Sequence, residues 1–94
     1  MSFRCKDHIS DVPMVSVIIL NYNGMKYIEQ CLSSVFLTNY PSLEVLLVDN
    51  ASKDWSRELA LSLFGRRRGF RLISSPLNLG IPGGYNLGAR NSIG

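Results

Sequence analysis

Val15 to Leu20 read Val-Ser-Val-Ile-Ile-Leu, a nearly unbroken apolar run rich in β-branched side chains. A run without alternation suits a parallel strand covered on both faces. It stops at Asn21-Tyr22-Asn23-Gly24, residues that bring hydrogen-bonding groups and tolerance of positive φ to the point where the strand emerges. From Met25 to Leu37 the apolar positions Ile28, Cys31, Leu32, Val35 and Phe36 fall on one stripe, which predicts an amphipathic helix with Cys31 on its buried face. Pro41, within Thr38 to Ser42, ends it.

Leu43 to Val48 is a second buried strand, closed by the polar segment Asp49 to Asp54. Either Ser52 or Asp54 can cap the helix that follows. That helix is expected from Trp55 to Phe64, with Leu59, Ala60, Leu63 and Phe64 inward and Gly65 as its terminator. Phe70 to Ser74 alternates and reads as a shorter third strand nearer an edge. Ser75 to Gly80 forms a polar turn, and Ile81 to Ser92 a third helix entered at Pro82. Gly83, Gly84 and Gly88 each weaken that helix by about 1 kcal/mol relative to alanine. They therefore imply close backbone packing or approach to a ligand.

The order β-α-β-α-β-α predicts an α/β, Rossmann-like three-layer sandwich with parallel strands. Loops at the carboxyl ends of the strands, Asn21 to Gly24, Asp49 to Asp54 and Ser75 to Gly80, hold nearly all the amide, carboxylate and hydroxyl groups suited to a small polar ligand. Chemistry in such folds concentrates at that edge. Residues 1–13 lack periodicity and end in Asp11-Val12-Pro13, so a mobile leader is expected ahead of one folded unit, 14–94.

Ninety-four residues make one domain at most and bury roughly 60–65% of the unfolded surface. With 46% hydrophobic and 18% charged residues the chain is globular, and no apolar run approaches the ~20 residues of a membrane span. The leader has no signal-peptide core, so a cytoplasmic location is expected, with peripheral attachment to the inner membrane face as a variant. Cys5 and Cys31 have neither metal-ligand nor disulfide-framework spacing and read as free thiols. The net charge of +3 is local: Lys53, Arg57, Arg66, Arg67, Arg68 and Arg71 face only Asp54 and Glu58 over the same span. Such a rim attracts phosphates or an anionic membrane surface, or is simply a solvated loop. No Walker loop, dinucleotide fingerprint, EF-hand or Ser-His-Asp set is present; the single histidine is His8.

Asp49 could accept the imide N–H of a pyrimidine base and Asn50 bind the ribose; the competing reading is turn chemistry with a helix cap. Tyr22 offers a platform for a base or sugar, or packs beside the sheet. Asn78-Leu79-Gly80 and Asn86-Leu87-Gly88 flank Gly83-Gly84. Glycine there admits close approach to a diphosphate, and free N–H groups at a helix start bind anions; the plain alternative is a flexible turn. A non-catalytic nucleotide-binding or signalling module of receiver type is a second reading. It lacks the acidic cluster such a module carries after its first strand. A nucleic-acid binder rests on Arg66 to Arg71 alone, and no nucleic-acid partner is expected.

Together, VSVIILNYNG, CLSSV, LEVLLVDNASKD and NLGIPGGYNLG resemble the start of a family-2 glycosyltransferase of the inverting GT-A class, over about residues 14 to 92. The Asn-Leu-Gly…Gly-Gly…Asn-Leu-Gly form is similar to the rhamnosyltransferase-like branch. The resemblance implies transfer of a sugar from a UDP- or dTDP-sugar to a hydroxyl of a glycan or lipid-linked acceptor, with inversion. It places Tyr22 and Asn23 beside the base, Asp49 on the imide and Asn50 near the ribose, with Asn78, Gly80 and Asn86 shaping the nucleotide pocket. It also implies a divalent metal, Mn or Mg, held by an Asp-x-Asp-like motif. Nothing after Glu58 is acidic, so that motif and the catalytic residues are expected beyond Gly94. This chain is then the nucleotide-binding part, inactive alone, with no catalytic or metal residue of its own. Its first strand, left at an edge, is expected to pair with a second copy through Val15 to Leu20.

Overall fold

A computed structural model describes residues 2–4, by backbone alone, together with 13–38 and 40–93. Its elements run β1 (Ser2–Arg4), β2 (Met14–Asn21), α1 (Ile28–Phe36), β3 (Leu43–Asn50), α2 (Ser56–Phe64), β4 (Phe70–Ser75) and α3 (Gly80–Asn91). β2, β3 and β4 are parallel neighbours in that spatial order, with Val17 opposite Val45 and Asn21 opposite Asp49. The expected parallel α/β sandwich forms. β3 extends past its apolar run because Asp49 and Asn50 pair with Ser74 and Ser75 of β4.

Side chains alternate across a strand, so β3 divides itself between two layers. Val45 and Leu47 meet Ile28, Leu32 and Phe36 of α1 and Ala60 and Phe64 of α2. Leu46 and Val48 pack with Ile18 of β2 and Leu87 of α3 on the other face. All four β3 side chains are fully buried, which is the covered-on-both-faces condition their composition predicts. Phe36 and Phe64 stack at 5.6 Å between ring centroids, and Phe70 closes the trio at 6.4 Å from each.

Three expectations are corrected. Cys31 is exposed: α1 buries Ile28, Leu32 and Phe36, and at about 100° per residue Cys31 stands well round from the centre of that row. Leu63 is also exposed, because the sheet-facing row of α2 is Ser56, Ala60 and Phe64. Finally, Ser2–Arg4, within the segment read as a mobile leader, pairs antiparallel with Met14–Ser16, satisfying backbone groups that β2 would otherwise present at its edge. Cys5 and His8 lie outside the described residues.

The glycines of α3 have a packing cause. A Cβ at Gly84 would stand 2.6 Å from Leu20 Cδ2 and 2.9 Å from Asn50 Nδ2, and one at Gly88 2.6 Å from Ile18 Cγ2. The helix therefore lies directly on β2 and β3, its first turn over their carboxyl ends. At the opposite end the buried carboxylate of Glu44 accepts from Ser16 Oγ at 2.7 Å, Ile93 N at 3.0 Å and Arg71 Nη1 at 3.3 Å.

Candidate nucleotide site

Asn21 and Asp49 are register partners at the ends of β2 and β3, both turned toward the start of α2. Asn21 Nδ2 donates to Asp49 Oδ1 at 2.9 Å and to Ser56 Oγ at 2.8 Å. Asp49 also accepts from Ser52 Oγ at 2.7 Å and from Ser52 N at 3.1 Å, so a fully buried carboxylate has donors on both oxygens, as burial requires. Ala51, at φ 61°, makes the left-handed bend that brings Ser52 back under it.

The first loop is tied to the same frame. Asn23, at φ 52°, accepts from Lys53 N at 2.7 Å through Oδ1, while its own N–H donates to Ser52 Oγ at 2.9 Å. Asp54 accepts from Met25 N at 3.1 Å, from Ser56 N at 3.0 Å and from the Ser56 hydroxyl. The Ser56 hydroxyl bond, helped by these backbone donors, holds the Asp54 carboxyl below its ordinary value of 3.8 against the opposing effect of desolvation. The N-cap position of α2 is Trp55, which makes no side-chain capping bond, so neither Ser52 nor Asp54 occupies the cap expected of them; Asp54 instead accepts from the first amide of the helix, from one residue before the cap.

Asn50, one residue beyond Asp49, points to the other face. There Leu20, Tyr22, Asn50, Asn78, Gly80, Ile81 and Tyr85 surround an open cavity of about 440 Å³. Asn50 Nδ2 donates to Gly80 O at 3.1 Å and its Oδ1 accepts from Leu79 N at 3.5 Å, which pins the last loop to the strand. Asn78 Oδ1 accepts from Gly80 N at 2.8 Å. Gly80 sits at φ 72°, a conformation that favours glycine, where the chain turns into α3.

Of the residues predicted to form a site, Tyr22, Asn50, Asn78 and Gly80 meet at this cavity. Asn23 and Asp49 do not: both are engaged in the loop network, and Asp49 faces the α2 layer. Asn86 is exposed on α3, outside the cavity lining, and its carbonyl accepts from Arg90. Sequence reasoning missed Leu20, Ile81 and Tyr85. The signal was available, since Gly84 and Gly88 fix the sheet-facing row of α3 and leave Ile81 and Tyr85, spaced i and i+4, on an adjoining row. Among the described residues no group of three or more histidine, cysteine or acidic side chains is placed to hold a metal ion. With Asp49 consumed internally, the residues of this cavity do not fit one.

A family model described as glycosyl transferase family 2 matches residues 16–94. The chain belongs to that family. This family-2 glycosyltransferase chain is 35% identical over 79 residues to a hyaluronan synthase of Pasteurella multocida, covering 84% of this chain and 8% of the relative. It is 47% identical over 53 residues to glycosyltransferase AglE of Haloferax volcanii, covering 54% and 17%. Among solved structures it matches the mannosyltransferase PcManGT of Pyrobaculum calidifontis, in complex with GDP-Man and Mn2+, with a TM-score of 0.78 and 27% identity over 88% of this chain and 25% of that one. The fold is thus of GT-A type, and the chain spans between 8% and 34% of the lengths of eight curated relatives that it matches.

Proposed function

We propose that the cavity between the carboxyl ends of β2 and β3 and the start of α3 binds the nucleoside diphosphate part of a sugar donor. One observation carries this reading: Tyr22 and Tyr85 present rings, Asn50 an amide and the Gly80 turn a helix start, all around one 440 Å³ space. An aromatic wall suits a base or ribose, and a helix start presents N–H groups to phosphate. The GDP-Man held by the Pyrobaculum neighbour supports a nucleotide-sugar donor; UDP- and dTDP-sugars are the donors the sequence resemblance favours.

In the reaction we infer, an acceptor hydroxyl attacks the anomeric carbon in line as the bond to the nucleoside diphosphate breaks, with inversion. The residues here bind and orient the leaving nucleotide: Asn50 reads base or ribose, while Asp49 and Asn23 brace the loops from behind. The described lining of this cavity has no acidic side chain to take the hydroxyl proton or to hold a divalent metal, which would offset charge on the departing diphosphate; we infer that these residues bind the donor and do not themselves carry out transfer. Assignment to the rhamnosyltransferase-like branch rests on the spacing of the two Asn-Leu-Gly triplets, and a glycan acceptor is supported by the name of the Pasteurella relative. We place the protein in the cytoplasm; no described helix is long and apolar enough to cross a membrane.

Isothermal calorimetry with UDP, dTDP and GDP tests the assignment. Tyr22→Ala and Tyr85→Ala should each weaken the preferred nucleotide by about 1–3 kcal/mol, the worth of a base–aromatic stack, while leaving the circular dichroism spectrum intact. Nucleotide affinity unchanged in both variants would refute the site.

A further inference from the structure

We propose that the amino edge of the sheet, the end opposite the candidate nucleotide cavity, docks onto an anionic lipid surface. Helices α1 and α2 run back along the sheet, so their C-termini and the loops 37–42 and 65–69 gather there with the end of α3. Arg66, Arg67 and Arg68 lie in the second loop, Arg71 is the second residue of β4, and Arg90 lies in the last turn of α3. Arg67, Arg68 and Arg71 share with Ile93 the lining of one open cleft of about 570 Å³.

Among the described residues the charge on this edge, apart from that of Arg71, has no acidic partner. Among the described residues Glu29, Asp49, Asp54 and Glu58 all belong to the carboxyl half, at the end of β3, in first helical turns or in the loop before α2. Glu44 is the acid at the amino end, and it is buried and matched by Arg71 at 3.3 Å. Arg67 lies over the Phe36 ring, 4.4 Å from its centroid, a contact that positions the guanidinium without cancelling its charge. Arg66 and Arg68 have no hydrogen-bond or ion-pair partner among the described residues.

Exposed aliphatics accompany these cations. Leu37 at the end of α1, Leu61 and Leu63 in the last turns of α2, and Ile93 after α3 are all open to solvent. Cations beside exposed aliphatic side chains suit a lipid interface, where charge draws the face in and apolar groups enter the headgroup boundary. Nucleic acid is the weaker fit, since single strands favour aromatic platforms. The exposed rings Tyr22, Tyr27, Trp55 and Tyr85 lie toward the carboxyl edge, and Phe36 is already covered by Arg67. Docked this way, the nucleotide cavity stays open to solution.

Co-sedimentation of the 94-residue chain with vesicles of phosphatidylcholine alone, or mixed with phosphatidylserine, tests the proposal. The chain should partition onto the phosphatidylserine vesicles and release as salt shortens the screening length. Each arginine near such a surface is worth about fivefold in partition. The double variant Arg66→Gln with Arg68→Gln should therefore lose about twentyfold to thirtyfold, with an unchanged circular dichroism spectrum and nucleotide response, and Leu63→Ser should weaken binding further. Equal partition onto both vesicle types, full retention by the double variant, or tighter binding to DNA or RNA than to phosphatidylserine at the same salt would each overturn it. Because nucleotide binding is read separately, its failure would leave this result interpretable.

Discussion

Asp49 and Asn50 are adjacent in sequence and opposite in consequence. Strand alternation sends one carboxylate into a closed network with Asn21 and Ser52 and one amide to the cavity wall, where it ties Gly80 to β3. The sequence made both polar groups legible as a pair at a strand end. Which of them meets a ligand depended on the parity of β3 relative to α3, and an apolar run buried on both faces carries no alternation from which to read parity. Cys31 was misplaced for a related reason: periodicity names a stripe, while its width depends on how much of α1 its neighbours cover. A pH prediction belongs at this scale. A carboxyl held below its ordinary value contributes stability above 3.8 that is lost as pH falls through the lowered value of the folded state. Asp54→Asn should therefore be less stable than the parent chain at neutral pH, with the gap narrowing as pH drops below 3.8. A gap in urea midpoint that stays constant through the acid range would contradict the role given to Asp54.

The element whose composition most resisted a helical reading, α3, is explained by what lies beneath it. Gly84 and Gly88 let its backbone settle on Leu20, Ile18 and Val48, which sets the depth of the cavity and the position of Tyr85. Gly88→Ala removes about 1 kcal/mol of helix penalty, yet its methyl would meet Ile18 and Val48 inside van der Waals contact, a type of overpacking that typically costs about 1–3 kcal/mol. The expected outcome is a lower urea midpoint with an unchanged slope. A higher midpoint would show that α3 has room to lift from the sheet. These glycines were legible as a cluster needing a reason; the choice between packing and ligand approach required knowing which row faces the strands.

For the molecule as a whole, polar groups able to hold a nucleotide collect at the carboxyl edge, and arginines, of which Arg66 and Arg68 have no ion-pair partner among the described residues, collect at the amino edge. The first half of that division was visible in the loops, because β-α-β order fixes which loops share an edge. At the outer edge of the sheet, β1 covers only Met14–Ser16, and from Val17 onward β2 has no strand beside it among the described residues. We propose self-association through Val17 to Leu20, narrower than the Val15 to Leu20 stretch expected from sequence. Light scattering should show mass rising with concentration, and a monodisperse monomer throughout would contradict it.

The central claim is that the cavity beside Tyr22, Asn50 and Gly80 holds the nucleotide. An NMR amide-shift titration with UDP, dTDP and GDP, each with and without magnesium, tests it most directly. Shifts centred on Tyr22, Asn50 and the stretch from Asn78 to Tyr85, with smaller changes at Asn23 and Asp49, are the predicted result. No response from the folded chain to any of the three, or shifts centred on Arg66 to Arg71, would contradict it.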